Sequence, residues 1–204
     1  MNRGPVTQQS SAPDYIKRVL DALQNVREAD VLAFVDVLVD ARIRDKKVFV
    51  IGNGGSAMTA SHMATDLGVG SQRFGAGVRV VSLSENSGAL TAIGNDASFE
   101  DVFSDQVQLL AEEGDVLIAI SASGNSPNLV KAVMMARREK LTVVSLTGFS
   151  GGRLKELADV AVHVETENGD YGPAEDAHLV VNHMVTELLR LRVGTASDMS
   201  GLHG

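Results

Sequence analysis

The sequence of 204 residues contains no cysteine and no tryptophan, and aromatic residues make up only 4% of it. The absence of cysteine excludes disulfide bonds, thiolate-bound zinc and a cysteine nucleophile. Cationic side chains are also scarce, because 18 Lys and Arg stand against 26 Asp and Glu, which leaves a net charge of −8. Proteins that coat nucleic acids or bind anionic membranes need a cationic face, so we expect neither nucleic acid nor membrane as a partner.

Long apolar runs are missing as well. No segment approaches the roughly 20 apolar residues that a membrane-spanning helix requires. Residues 1–12 are polar and lack the apolar core of a secretory signal, so we expect a cytoplasmic protein. We expect residues 1–12 and 194–204 to be flexible tails around one domain at residues 13–193, which is long enough to bury a hydrophobic core.

Short apolar segments alternate with helical patterns along this domain. Strands are predicted at Val48–Ile51, Val78–Leu83, Val116–Ile120, Leu141–Leu146 and Val160–Val164. Helices are predicted as a pair within Asp14–Arg44 and then at Ala57–Leu67, Ala89–Gly94, Phe99–Glu112, Asn128–Arg138, Arg153–Leu157 and Ala174–Leu191. Such alternation is typical of a parallel sheet covered on both faces. We therefore predict an α/β fold, a flavodoxin-like three-layer sandwich with a five-stranded parallel sheet in the order 2-1-3-4-5 and an N-terminal helical pair.

Two loops rich in glycine and serine follow the first and third predicted strands. They read Gly52-Asn53-Gly54-Gly55-Ser56 and Ser121-Ala122-Ser123-Gly124-Asn125-Ser126, and a helix follows each. Glycine lets backbone N–H groups approach an anion, and a helix N-terminus favours negative charge. In the predicted strand order both loops flank the crevice where such sheets bind ligands. Each loop alone fits an ordinary tight turn, but the two together indicate a site for a compact sugar phosphate.

A dinucleotide site is the alternative interpretation of the first loop. The spacing of Gly52, Gly54 and Ala57 fits a relaxed dinucleotide fingerprint. In that fingerprint an acidic residue binds the ribose about 20 residues further on, and Glu85 lies well beyond that distance. A second anion-binding loop at the same crevice also suits a compact ligand better. We therefore expect no nucleotide cofactor.

The two loops, together with Asn95-Asp96 and Thr147-Gly148, resemble the sugar isomerase (SIS) domain family. Within that family the chain from about Asp14 to Leu191 is most similar to the phosphoheptose isomerases. The resemblance implies an aldose–ketose isomerase that converts D-sedoheptulose 7-phosphate to D-glycero-D-manno-heptose 7-phosphate in heptose biosynthesis. It also implies a homo-oligomer, a tetramer with active sites at the subunit interfaces.

The resemblance further implies which residues bind the substrate. Those placed at the sugar are Asn53, Gly54, Gly55, Asn95 and Asp96, and those placed at the phosphate are Ser121, Ser123 and Ser126. Four more belong to the same site, namely Ser56, Asp66, Ala122 and Glu175. The family usually has Thr at the position of Ala122, so this chain lacks one hydroxyl but keeps the backbone N–H.

By the same resemblance, Asp66 and His183 are the catalytic pair, and Asp66 stands where the family has Glu. The implied metal ligands are His62, Asp66, Glu175 and His183, with zinc as the expected ion. His62 and Asp66 are four residues apart, so on a helix they share a face about 40° wide. Spacing alone pairs His183 with Asp176 rather than Glu175, and only the resemblance favours Glu175. Two imidazoles and two carboxylates suit a zinc ion.

Aldose–ketose isomerisation needs a base at carbon, an acid/base at oxygen and stabilisation of the enediolate. Our hypothesis makes Asp66 the base at carbon and His183 the acid/base at oxygen. His163 and His203 lack partners in the sequence and are interpreted as non-catalytic.

Two alternatives stay open. One is a non-catalytic SIS-fold binding protein such as the DnaA-initiator-associating proteins, which are similar at Leu90-Thr91-Ala92-Ile93 but lack the acid and the histidine at positions 66 and 183. The other is an isomerase of another phosphosugar. It is suggested by Thr166–Pro173, which departs from the isomerase pattern just before the final helix.

Overall fold

Five parallel strands form the central sheet of the protein, of which a computed structural model describes residues 11–200. They are β1 (Lys47–Gly52), β2 (Arg79–Ser82), β3 (Val116–Ser121), β4 (Thr142–Thr147) and β5 (Val160–His163). The strand order is β2-β1-β3-β4-β5, so the predicted fold class and strand order are confirmed. Because Gly52 pairs with Ile120 in the β1–β3 register, the loops that leave these two strands begin side by side.

Helices cover both faces of this sheet. They are α1 (Ala12–Gln24), α2 (Glu28–Ile43), α3 (Gly55–Thr65), α4 (Ser87–Asp96), α5 (Ser104–Leu110), α6 (Pro127–Arg138), α7 (Gly152–Leu157) and α8 (Tyr171–Ser200). A π-helical turn, Asp66–Gly70, continues α3. In the described part of the chain, no helix is both long and apolar enough to span a membrane.

The core consists of two apolar layers, one on each face of the sheet. On one face, side chains of α2, α3 and α8 such as Phe34, Met63 and Val181 pack against alternate residues of the strands. On the other face, residues of α5, α6 and α7 pack against the remaining strand residues. Strand β1 shows the alternation, since Val50 belongs to the first layer and Ile51 to the second.

Several element boundaries differ from the predictions. Within Phe99–Glu112 only α5 is helical, and the Ser98 hydroxyl accepts a hydrogen bond from the Glu100 N–H at 3.1 Å, which favours a turn there. The helix predicted to reach Leu67 becomes π-helical at Asp66, and the Ser71 hydroxyl donates to the Asp66 carbonyl at 2.7 Å.

The expected tail boundaries also differ from the helices. Helix α1 begins at Ala12 and α8 continues to Ser200, past the tail boundary expected at residue 193. Residues 1–10 and 201–204 of the expected tails lie outside the described residues.

Candidate active site

A pocket of about 120 Å³ lies between the loops that follow β1 and β3. Its lining residues are Asn53, Ser56, Ile120, Ser121, Ala122, Ser123, Ser126, Tyr171 and Glu175. The two loops singled out in the sequence therefore meet at one place, and the start of α8 closes the pocket on the third side.

Two helices begin at this pocket. Helix α3 follows Gly54 and α6 follows Ser126, and in the described structure neither of these N-cap residues makes a side-chain capping bond, although α6 begins with Pro127, which has no N–H. The first backbone N–H groups of an uncapped helix can bind an anion, and the helix dipole favours its negative charge. The pocket therefore has the backbone geometry of an anion site.

Serine hydroxyls shape the second loop and also face the pocket. The Gly124 N–H donates to Ser121 Oγ at 3.1 Å, and the Asn125 N–H donates to Ser123 Oγ at 3.3 Å. Each hydroxyl thus accepts a hydrogen bond from the loop, and the two oxygens also lie 3.5 Å apart, so one hydroxyl donates to the other and leaves one proton for an anion. Ala122 has no hydroxyl, and its side chain packs in an apolar cluster with Phe149 and Ala174.

Glycine is required at two positions for this packing. A Cβ at Gly52 would overlap the carbonyl oxygen of Ser56, at the start of α3. Gly124 has a φ of +64°, and a Cβ there would overlap the carbonyl oxygen of Gly151. Both loops are therefore held close to neighbouring backbone in conformations that only glycine fits.

Asn128 is a site residue that the sequence analysis missed. Its side-chain amide exchanges two hydrogen bonds with that of Asn53, both at 2.9 Å, and so joins the two loops. Its Oδ1 also accepts from the N–H of Leu129 at 3.0 Å. No motif indicates this residue, because its partner lies in the other loop.

A second group of candidate site residues comes from α3, the π-helical turn and α8. Asp66 Oδ2 lies 3.3 Å from His62 Nε2 and 3.7 Å from His183 Nε2. The two Nε2 atoms are 3.3 Å apart, and one ligand atom from each residue lies within 4.8 Å of the others. The side chains of His62 and His183 are 43% and 56% exposed, so the group faces solvent. Three such donors suit a divalent ion with an open coordination position.

Glu175 lies apart from these three residues. The carboxylate packs against Gly55 in the anion pocket, where burial and then the neighbouring Asp176 raise its pKa. Eight helical residues place it about 12 Å from His183 along the axis of α8. Within the described chain Glu175 therefore does not complete the predicted set of four metal ligands.

Asp176, the partner that spacing alone favoured, has a different contact. The Tyr15 hydroxyl donates to Asp176 Oδ2 at 2.5 Å, and this bond raises the pKa of Tyr15 to about 12. The pair joins α1 to α8, and Asp176 is not one of the converging ligands.

Comparison with known proteins shows the family of the chain. The SIS domain family matches residues 13–148. The chain belongs to the SIS domain family. It is 34% identical to the phosphoheptose isomerase of Geobacter sulfurreducens. The alignment spans 177 residues and covers 87% of this chain and 93% of that protein.

Solved structures extend the likeness. The phosphoheptose isomerase of Neisseria gonorrhoeae aligns with a TM-score of 0.77 at 31% identity, covering 87% of this chain and 93% of that one. The phosphoheptose isomerase of Francisella tularensis aligns with a TM-score of 0.78 at 26% identity, covering 88% and 98%.

Asn95 and Asp96 of the SIS domain lie away from the anion pocket of their own chain. Both are exposed at the end of α4, where the Asn95 amide donates to Asp96 Oδ1 at 2.8 Å. Neither residue lines the pocket between the loops. The structure of one chain thus does not bring them to the other predicted substrate residues.

The segment Thr166–Pro173 does reach the site. Tyr171 lines the anion pocket, and Thr166 and Asn168 line an adjoining open pocket of about 500 Å³ beside Ser123. The part of the chain that departs from the isomerase pattern therefore borders the anion pocket.

Among the described residues, two further histidines, His163 and His178, do not join the site. His178 is fully buried, and burial lowers its pKa to about 4, so it is neutral. His163 Nδ1 lies 3.1 Å from Thr147 Oγ1, and burial lowers its pKa as well. His203 lies outside the described residues.

Proposed function

We propose that this protein is an aldose–ketose isomerase that converts D-sedoheptulose 7-phosphate to D-glycero-D-manno-heptose 7-phosphate in heptose biosynthesis. One observation carries the proposal: a serine-lined pocket at the start of α3 and α8 lies on the same two helices as a carboxylate beside two histidines. The similarity to proteins named phosphoheptose isomerase supports the choice of substrate.

The anion pocket binds the phosphate and thereby positions the sugar. The N-terminus of α3 supplies backbone N–H groups, and Ser121, Ser123 and Ser126 supply hydroxyls. Asn53, held by Asn128, faces the same pocket and is suited to hydrogen-bond a sugar hydroxyl. Fixing the phosphate in this way holds the reacting carbons for proton transfer.

Asp66 and His183 perform the proton transfers. Asp66 removes a proton from C1 of the ketose and returns it to C2 of the enediol. His183 donates a proton to O2 and accepts one from O1, so the product is the aldose. Their side chains lie close enough for both to act on neighbouring atoms of one substrate, with Asp66 Oδ2 3.7 Å from His183 Nε2.

His62, Asp66 and His183 also fit a divalent ion, and we propose zinc because the donors are two imidazoles and one carboxylate. A bound ion would supply positive charge that stabilises the enediolate oxygens. Glu175 stays a candidate for substrate binding, since its carboxylate lines the anion pocket.

We further propose a homotetramer with active sites at the subunit interfaces. The placement of Asn95 and Asp96 supports it, because the resemblance puts both at the sugar and neither lines the pocket of its own chain. In a tetramer they would contact the substrate of a neighbouring subunit. A cytoplasmic location stays a prediction.

The test is a proton NMR time course of the purified protein with sedoheptulose 7-phosphate, run with added zinc and after chelation. We expect an aldose anomeric signal to appear and its rate to fall after chelation. Parallel runs with other ketose phosphates determine the sugar specificity. Binding of phosphosugars without turnover of any of them would instead support the non-catalytic alternative.

A further inference from the structure

Asn182 makes the shortest side-chain contact that the structure gives Asp66. It precedes His183 in α8, is 0% exposed, and its Nδ2 donates to Asp66 Oδ2 at 2.7 Å. The same oxygen faces His62 at 3.3 Å and His183 at 3.7 Å. No motif in the sequence indicates a role for Asn182.

The other end of the Asn182 amide has no compensating contact. Its Oδ1 is buried and accepts no hydrogen bond in the described part of the chain. A buried polar atom without a partner destabilises a fold, and an apolar side chain of similar size would avoid that cost. The contribution of this amide therefore lies in the bond from Nδ2 to Asp66.

The position of Asp66 explains why such a bond matters. Asp66 begins the π-helical turn that continues α3. Its side chain is one methylene shorter than the Glu implied by the resemblance, so its reach toward the two histidines is limited. Nδ2 can only donate, so the bond orients Oδ2 as an acceptor beside both imidazoles.

We propose that Asn182 is a positioning residue that holds the Asp66 carboxylate for proton transfer and for binding of a divalent ion by His62, Asp66 and His183. It acts through Asp66 and does not contact the substrate. The effect on turnover rests on the proposed function, whereas the effect on metal affinity does not.

The test compares Asn182→Leu with Thr186→Val. The first replaces the amide by an apolar side chain of the same branching. The control removes a buried hydroxyl, which has no hydrogen-bond partner among the described residues, one turn further along the same face of α8. We measure kcat and KM for the isomerisation, and zinc affinity by competition with a chromophoric chelator. Because outer-shell partners tune ligands, Asn182→Leu should lower kcat and zinc affinity about 10- to 100-fold, with little change in KM. Thr186→Val should change neither quantity more than about 2-fold.

A double-mutant cycle separates positioning from packing. If Asn182 compensates for the short side chain of Asp66, Asn182→Leu should lower kcat by a much smaller factor in an Asp66→Glu background than in the native protein. An equal fold-loss of kcat in both backgrounds would overturn the proposal. So would an Asn182→Leu variant whose kcat and zinc affinity match those of Thr186→Val. Should the leucine variant fail to fold, Asn182→Ala takes its place in the same measurements. If the native protein does not turn over the heptose phosphate, the proposed function fails, and chelator competition still decides the role of Asn182.

Discussion

The two halves of the candidate site are built in different ways. The anion pocket is formed mainly by backbone, namely helix N-termini and close-packed glycines, with serines that also hold the loop. The group of His62, Asp66 and His183 is formed by side chains from three elements and faces solvent. The first depends on backbone conformation. The second depends on the exact chemistry and reach of a few side chains, so its variants should separate catalysis from binding.

The largest effect should come from removing the proposed base. Asp66→Asn keeps the shape of the side chain but removes the carboxylate, so kcat should fall about 10²- to 10⁴-fold, as expected for a general base. Binding of inorganic phosphate should persist, because the anion pocket is untouched. The control is Asp176→Asn on the same helix as His183, which should retain near-native kcat since Asp176 contacts Tyr15. Native kcat in Asp66→Asn would remove Asp66 from the mechanism.

The next effect should appear in the anion pocket, through its backbone. Gly124→Ala introduces a Cβ that overlaps the Gly151 carbonyl at a positive φ, so it should lower the free energy of unfolding by roughly 2 kcal/mol or more. It should also raise KM. Gly169→Ala is the matched control, because its φ is +92° but a Cβ there meets open space, and it should cost only about 1 kcal/mol. Urea unfolding of both variants measures the difference. Equal losses of unfolding free energy in the two variants would show that the overlap with the Gly151 carbonyl does not contribute.

A smaller effect is expected for a single hydroxyl in the same pocket. Ser123→Ala removes one donor to the phosphate, so KM should rise about 10-fold with kcat nearly unchanged. Steady-state kinetics with sedoheptulose 7-phosphate checks the separation of KM from kcat. A fall in kcat at constant KM would place Ser123 with the catalytic group instead.

The smallest effect lies outside both halves, at the contact between α1 and α8. Tyr15→Phe removes the hydrogen bond to Asp176 and should cost about 1 kcal/mol of stability or less, with kcat unchanged. The bond raises the pKa of Tyr15 from 10.0 to about 12, so its contribution is complete below pH 10. It is lost as the pH rises toward 12. The thermal unfolding midpoints of the native protein and Tyr15→Phe should therefore differ at pH 7 and converge at high pH. A difference that stays constant with pH would show that the hydrogen bond to Asp176 is not its cause.

The backbone-built half was predictable from sequence because its residues are contiguous. Apolar segments predict strands, the alternation with helices predicts a parallel sheet, and loops after β1 and β3 must then meet at one crevice. The glycines and serines that shape the pocket lie within those loops, and the two loops together indicate the site.

The side-chain-built half was predictable only in part. Helical spacing places His62 beside Asp66, but nothing in it indicates that the helix becomes π-helical at Asp66. Whether Glu175 reaches His183 depends on distance along α8, which the resemblance alone does not measure. Asn128 and Asn182 could not be predicted from sequence, because each contacts a residue far away in the chain. Asn128 bonds to Asn53 and Asn182 to Asp66.

The most direct test of the whole scheme is the isomerisation followed by NMR in deuterated buffer, with the native protein and Asp66→Asn side by side. The native protein should form the aldose with deuterium at C2, because the base exchanges its proton with solvent before returning it. Asp66→Asn should bind the heptose phosphate and yield neither aldose nor exchange. Exchange at the native rate in Asp66→Asn would contradict the division of the site into a pocket that binds and a carboxylate between two histidines that catalyses.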